Sequence, residues 1–332
     1  MRDVSALPKA HLHVHLESTV RWDTLRDIAA ANGVALPTGG DGGGLAFTGF
    51  RGFADHNSLV RSCLRRPEDF ARVAREFCAD EAAQGTRYAE VTFTAAAHGE
   101  RLGRPRMPLE AVLHGLAEGR AAHGIEVRVL LDHSRRRSVD RFRRTLDLAV
   151  EHADAGVVAI GVAGEESYPL APFAGVVADA AAAGVPLVHH AGEACGPDSV
   201  REALTLGRTR RLGHGIRVLD DARLVAEVRD RGIPLEVCPS SNVALGFAGA
   251  LADHPLPRLR DAGLAVTLNT DVPAIIGTTL TGEYERVRDA FGYTDDDLAD
   301  LARAGVDASF APADTRARLH RGIDAWLAAP AA

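Results

Sequence analysis

Apolar and polar residues alternate in short runs along this chain, and stretches of helical spacing separate the runs. Eight runs have β character: "AHLHVHL" (10–16), "RYAEVTFT" (87–94), "EVRVLLDH" (126–133), "VVAIGVAG" (157–164), "VPLVHHAG" (185–192), "RRLGHGI" (210–216), "PLEVCPS" (234–240) and "LAVTLNTD" (264–271). Strands that alternate with helical segments predict parallel βαβ units, because parallel neighbours need a long crossover. Eight such units over roughly 250 residues predict an α/β chain folded as a (β/α)8 TIM barrel.

The connections support this reading. "PFAGVVADAAAAG" (172–184) is alanine-rich and stops at glycine, and "DDARLVAEVRDRG" (220–232) starts on a capping aspartate. More chain than a crossover needs lies between the first two strands. Residues 17–86 therefore predict a helical cap inserted after strand 1, which includes a glycine-rich loop at 38–50 followed by a helical half at 56–85. One domain over 1–332 is the simpler organisation.

Composition changes the picture little. The content is that of a globular protein, 46% hydrophobic and 25% charged. A net charge of −7 argues against a generic polyanion binder, so neither nucleic acid nor membrane is expected as a partner. The cysteines (Cys63, Cys78, Cys195, Cys238) are scattered with no CxxC pair, and no apolar signal segment opens the chain. A cytoplasmic location with reduced thiols is expected. Lys9 is the only lysine among 38 basic residues, so no chemistry can rest on a lysine farther along.

The chemistry gathers at strand ends, where barrels place their sites. In "HLHVHLE" (11–17) strict alternation would put His11, His13 and His15 on one face, with His11 a layer deeper. His13 and His15 can chelate one cation if His190 from strand 5 and Asp271 from strand 8 complete its shell. Three imidazoles and a carboxylate suit one Zn²⁺ per subunit. His189 faces the other way and is expected to be structural. His214 in "GHG" is placed to deprotonate a water activated by the metal. Glu193 in "HAGE" is placed to protonate a substrate if burial raises its pKa, or else to cap a helix N-terminus.

Taken in order, "PKAHLHVHLE", "AGEE", "HAGE", "GHG", "EVCPSSN" and "NTD" resemble the adenosine deaminase family of the metal-dependent amidohydrolases, from Leu7 to about Pro273. The resemblance implies zinc on His13, His15, His190 and Asp271. It also implies Glu193 as proton donor to purine N1, His214 and Asp271 on the attacking water, and the Gly164 backbone at N3. Binuclear relatives bridge two metals with a lysine on strand 4, which here ends "AIGVAG". The H-x-E with P-C-x-x-C signature of cytidine-type deaminases is missing.

Four residues depart from the family pattern. Val272 in "NTDVP" stands where the resembling enzymes place an aspartate on N7, and a buried N7 without a partner costs roughly 1–3 kcal/mol. Glu17 and Ser18 in "HLEST" replace an aspartate and glycine near the ribose 5′-hydroxyl, and Thr92 replaces an arginine. The substrate contacts expected are therefore His15, Glu17, Ser18, Gly164 and Val272. The expected activity is zinc-dependent deamination of an amino-purine nucleoside, adenosine or a modified adenosine. The alternatives are a deaminase of adenine or aminodeoxyfutalosine, a hydrolase of a related cyclic amide or imidate, and a silent barrel that only binds nucleosides. Whether the chain forms a homo-oligomer stays open.

Overall fold

Residues 1–37 and 49–330 are described by a computed structural model of the chain. Each of the eight runs overlaps a strand: β1 Lys9–His15, β2 Thr86–Phe93, β3 Glu126–Ser134, β4 Val157–Ala163, β5 Leu187–Ala191, β6 Arg211–His214, β7 Leu235–Val237 and β8 Val266–Leu268. Neighbours in sequence pair in parallel from β1 through β8. The ring closes at a bridge between Val14 and Asp271, where His15 N–H donates to the Asp271 carbonyl and Asp271 N–H to the His13 carbonyl, each at 2.9 Å. The architecture is a (β/α)8 barrel.

β1 breaks the expected alternation. Its register against β2 shifts between His11 and Val14, and the Asn269 side-chain oxygen accepts from the amides of Leu12 (2.8 Å) and His13 (3.0 Å). An extra residue in a strand flips the faces that follow it. His11 therefore leaves the set expected for it. Its Nδ1 lies 3.0 Å from Glu81 and its Nε2 3.0 Å from the Thr270 hydroxyl, while His13 and His15 turn to the barrel mouth.

Three helices follow β1: α1 Trp22–Ala31, α2 Gly49–Cys63 and α3 Pro67–Ala83. The expected loop at 38–50 falls mostly outside the described residues, and its last two positions already belong to α2. The single helical half expected at 56–85 is two helices. Pro67, which lacks an N–H, sits at the start of α3 and breaks it from α2. Ala54, Asn57, Ser58 and Arg61 of α2 line the barrel mouth. α3 packs instead against β2 and the helix Met107–His123. Asp221 caps the helix Ala222–Asp230, accepting from the amides of Arg223 and Leu224. No helix among the described residues is long and apolar enough to cross a membrane.

The barrel floor is mixed. Leu130, Ala159 and Val188 form a small apolar cluster that Phe310 packs against. Beside it Arg211, fully buried, bonds Glu90 and Glu236, the latter at 2.5 Å, and lies 4.2 Å over the Phe310 ring.

Lys9 is also buried, its ammonium donating to the carbonyls of Val4 (2.6 Å) and Leu7 (2.9 Å). Burial lowers its pKa from 10.5 to about 7. Between those values the unfolded chain holds a proton that the folded chain does not, so stability rises with pH there. The slope expected from this group is about 1.4 kcal/mol per pH unit. Urea denaturation from pH 7 to 10 should give the wild type a slope more positive than that of Lys9→Met by about this amount, the opposing share of other groups such as His13 being common to both.

Candidate active site

The ends of β1, β5, β6 and β8 bring four groups together. One ligand atom each from His13, His190, His214 and Asp271 lies within 4.8 Å of the others. His15 adjoins them: its Nε2 is 3.3 Å from His190 Nε2 and 3.3 Å from Asp271 Oδ1. So the expected set of His13, His15, His190 and Asp271 meets in one place, and His214 meets it too. Two of these residues hold costly backbones. His214 (φ 63°) and Asp271 (φ 62°) occupy the left-handed region, a strain that clusters at functional sites. Gly213 makes room for this packing, because a Cβ there would come within 2.9 Å of the His13 ring.

The donor set fits a divalent cation. His13 Nδ1–H donates to Glu236 at 2.8 Å, which turns His13 Nε2 toward Asp271 (3.7 Å); that buried Nε2 has no hydrogen-bond partner. A carboxylate behind a ligand histidine fixes its tautomer in this way. The 3.3 Å separations match the edge of a tetrahedron with bonds of roughly 2.0–2.1 Å, the zinc–nitrogen range. Burial opposes a charge on His13, yet Asp271 and Glu236 outweigh it and raise its pKa to about 10. The site thus attracts positive charge to that nitrogen.

Glu193 and His214 sit as an acid and a base should. Their side chains approach at 3.3 Å (Oε1 to Nδ1), and Asn242 Nδ2 reaches Glu193 Oε1 at 2.9 Å. Burial, then the charges of Asp271 and Glu166, push Glu193 well above the usual carboxyl range. Burial and then the nearby His13 charge hold His214 down to about 3. The first therefore keeps its proton beyond the ordinary carboxyl range, and the second has room for one at neutral pH.

A cavity of about 370 Å³ opens over this cluster, lined by His15, Gly164, His190, Glu193, His214 and Asp271. Glu17, Ser18 and Val272 do not line it. Glu17 is buried and accepts from His98 Nε2 (3.1 Å) and the Thr94 amide (3.3 Å). Ser18 borders a separate small cavity, and Val272 is fully buried. His189 lies off the site, accepting from the Val162 amide and donating to the Gly207 carbonyl at 2.9 Å. Burial keeps it neutral, at about 4.

Several supporting residues carry no mark of their role in the sequence. The Ser241 hydroxyl donates to Asp271 at 2.6 Å. His254 bonds Asn242 Oδ1 (3.2 Å) and accepts from the Leu256 amide, which orients the Asn242 amide toward Glu193. Glu166 accepts from four successive amides, Gly192, Glu193, Ala194 and Cys195, at 2.8–3.3 Å. That carboxylate holds the turn carrying Glu193. Glu166→Gln keeps one acceptor oxygen and should lower kcat about ten- to a hundredfold with metal content unchanged, measured by steady-state rates beside elemental analysis.

Residues 8–326 match the sequence model of the adenosine deaminase family. An adenine deaminase of Streptomyces coelicolor is 36% identical over 326 residues, covering 96% of each chain. An aminodeoxyfutalosine deaminase of the same organism is 35% identical over 332 residues, covering 98% of this chain and 86% of the other. Among solved structures, the adenine deaminase of Arthrobacter aurescens superposes with a TM-score of 0.90 at 29% identity, covering 97% of this chain and 100% of that one. With the barrel, the cation site and the acid–base pair in place, these likenesses agree: the chain belongs to the adenosine deaminase family and is a hydrolytic deaminase acting on C–N bonds.

Proposed function

We propose that the protein is a zinc-dependent deaminase of an amino-purine nucleoside, adenosine or a modified adenosine, acting in the cytoplasm. The observation that carries this reading is Glu193, its pKa raised by burial, and a neutral His214 facing one cavity beside the converging His13, His15, His190 and Asp271. His13, His15, His190 and Asp271 would hold the zinc, with His214 adjacent. Zinc, when bound, makes water acidic enough to serve as a nucleophile near neutral pH. His214 accepts the proton of the water, and Glu193 donates its own to purine N1 as the amine-bearing carbon is attacked. The Gly164 amide pairs with N3 and holds the ring. The C–N bond then breaks: ammonia leaves with the proton relayed from His214, the remaining hydroxyl proton returns through His214 to Glu193, 3.3 Å away, and a carbonyl is left.

The cavity is of small-molecule size, and its lining, with Asn57, Ser58 and Ser134, is polar enough for a sugar. That favours a nucleoside over the bare base. Adenine and aminodeoxyfutalosine form the second reading, motivated by the relatives and by Val272. Ammonia release by zinc-loaded protein from adenosine, 2′-deoxyadenosine, adenine and a cyclic amide separates the readings. Turnover of the cyclic amide alone would overturn deamination as the reaction.

A further inference from the structure

We infer that the substrate carries an anionic group, phosphate or carboxylate, on the sugar side of its purine, and that an arginine-rich recess beside the barrel mouth receives it. The inference rests on the amino-purine reading above and names the substrate class within it. The recess, of about 280 Å³, is lined by Arg61, Arg101, Arg137 and Arg141. It adjoins the catalytic cavity, sharing Arg61, Thr94, Asp132, Ser134 and Arg137 with it. In a chain of net charge −7, four guanidinium groups around one hollow need a reason.

Their neighbours neutralise only part of this charge. Arg141 is paired with Glu100 at 2.6 Å. Arg61 lies 3.9 Å from Glu17, a carboxylate already bonded to His98 and Thr94, and its buried Nε has no hydrogen-bond partner. Arg101 bonds the Leu64 carbonyl and His98 Nδ1 but no carboxylate. The exposed Arg137 guanidinium has no hydrogen-bond or ion-pair partner among the described residues. Asp132 is the one carboxylate lining the recess, and burial pushes its pKa up, toward the neutral form. Arg101 and Arg137 are thus left without counter-charge.

A second observation points to a ligand across the junction. Asp132 Oδ1 is buried, borders both cavities and has no hydrogen-bond partner. A sugar hydroxyl, lying between a base at the cation cluster and an anion at the arginines, would supply the donor it lacks. A free anion would leave Asp132 unsatisfied, so the anion is assigned to the substrate itself.

The test compares ammonia release from adenosine, adenosine 5′-monophosphate and adenosine 5′-carboxylic acid by zinc-loaded wild type and Arg137→Ala. At least one anionic nucleoside should exceed adenosine in kcat/KM by roughly tenfold or more. That ratio should fall about tenfold in Arg137→Ala and shrink as salt rises. The arm with the larger ratio tells phosphate from carboxylate. Adenosine turned over as well as both anions, or a ratio unmoved by Arg137→Ala, overturns the inference and leaves the amino-purine reading standing. No ammonia from any amino-purine overturns both.

Discussion

Glu193→Gln should retain its metal and lose about a hundred- to ten-thousandfold in kcat, the usual worth of a positioned general acid. Glutamine keeps the shape of the side chain and an oxygen for the Asn242 amide, now 2.9 Å from Glu193 Oε1. It has no acidic proton to give. Glu193 also stands outside the group of four whose ligand atoms converge, so zinc content should be unaffected. The pH profile adds a second readout. With its pKa raised, Glu193 stays protonated through the ordinary carboxyl range, and activity should fall as pH climbs through the raised value. The residual activity of Glu193→Gln should lack that alkaline limb. Steady-state ammonia release with elemental analysis decides the case; metal and activity lost in parallel would make Glu193 a ligand or a structural residue.

Why Glu193 could be singled out from sequence, while its supports could not, follows from the range of the interactions. The strands were legible because each repeats a local pattern of alternation, and the ends of β1, β5, β6 and β8 followed from it. His13, His190 and Asp271 fell together as a consequence of barrel closure. The bulge in β1 is different. It depends on Asn269, 257 residues away from Leu12, whose side chain takes the place of a strand neighbour. Alternation alone therefore misplaced His11. Glu166, Ser241 and Asn242 lay inside recognised motifs, but their roles arise from contacts with residues on other strands. His254 and Arg211 belonged to no motif at all. The break at Pro67 was readable in principle, since proline at a helix start is a local signal.

Arg211→Met should cost about 3–5 kcal/mol of stability, the penalty for stripping buried charges of their partner. Methionine fills most of the space, but Glu90 and Glu236 would then face each other at the barrel floor without the guanidinium that bonds both. The damage should reach the mouth. Glu236 accepts from His13 Nδ1 at 2.8 Å, so its orientation fixes the tautomer that leaves His13 Nε2 free for a cation. Loss of such a supporting carboxylate lowers metal affinity ten- to a hundredfold. The sign of the pH effect is also set. Although burial opposes ionisation, Arg211 and His13 hold the Glu236 pKa below its ordinary value. Its stabilising share is present above the ordinary carboxyl range and lost as pH falls through the depressed value. Without Arg211 that loss should begin at higher pH. Glu236→Gln is the control, because it leaves the Arg211–Glu90 pair intact: it should weaken zinc binding as Arg211→Met does while costing less stability. Urea denaturation from pH 4 to 7 with zinc competition against a chelator reads both effects, and unchanged zinc affinity in both variants would sever the barrel floor from the metal site.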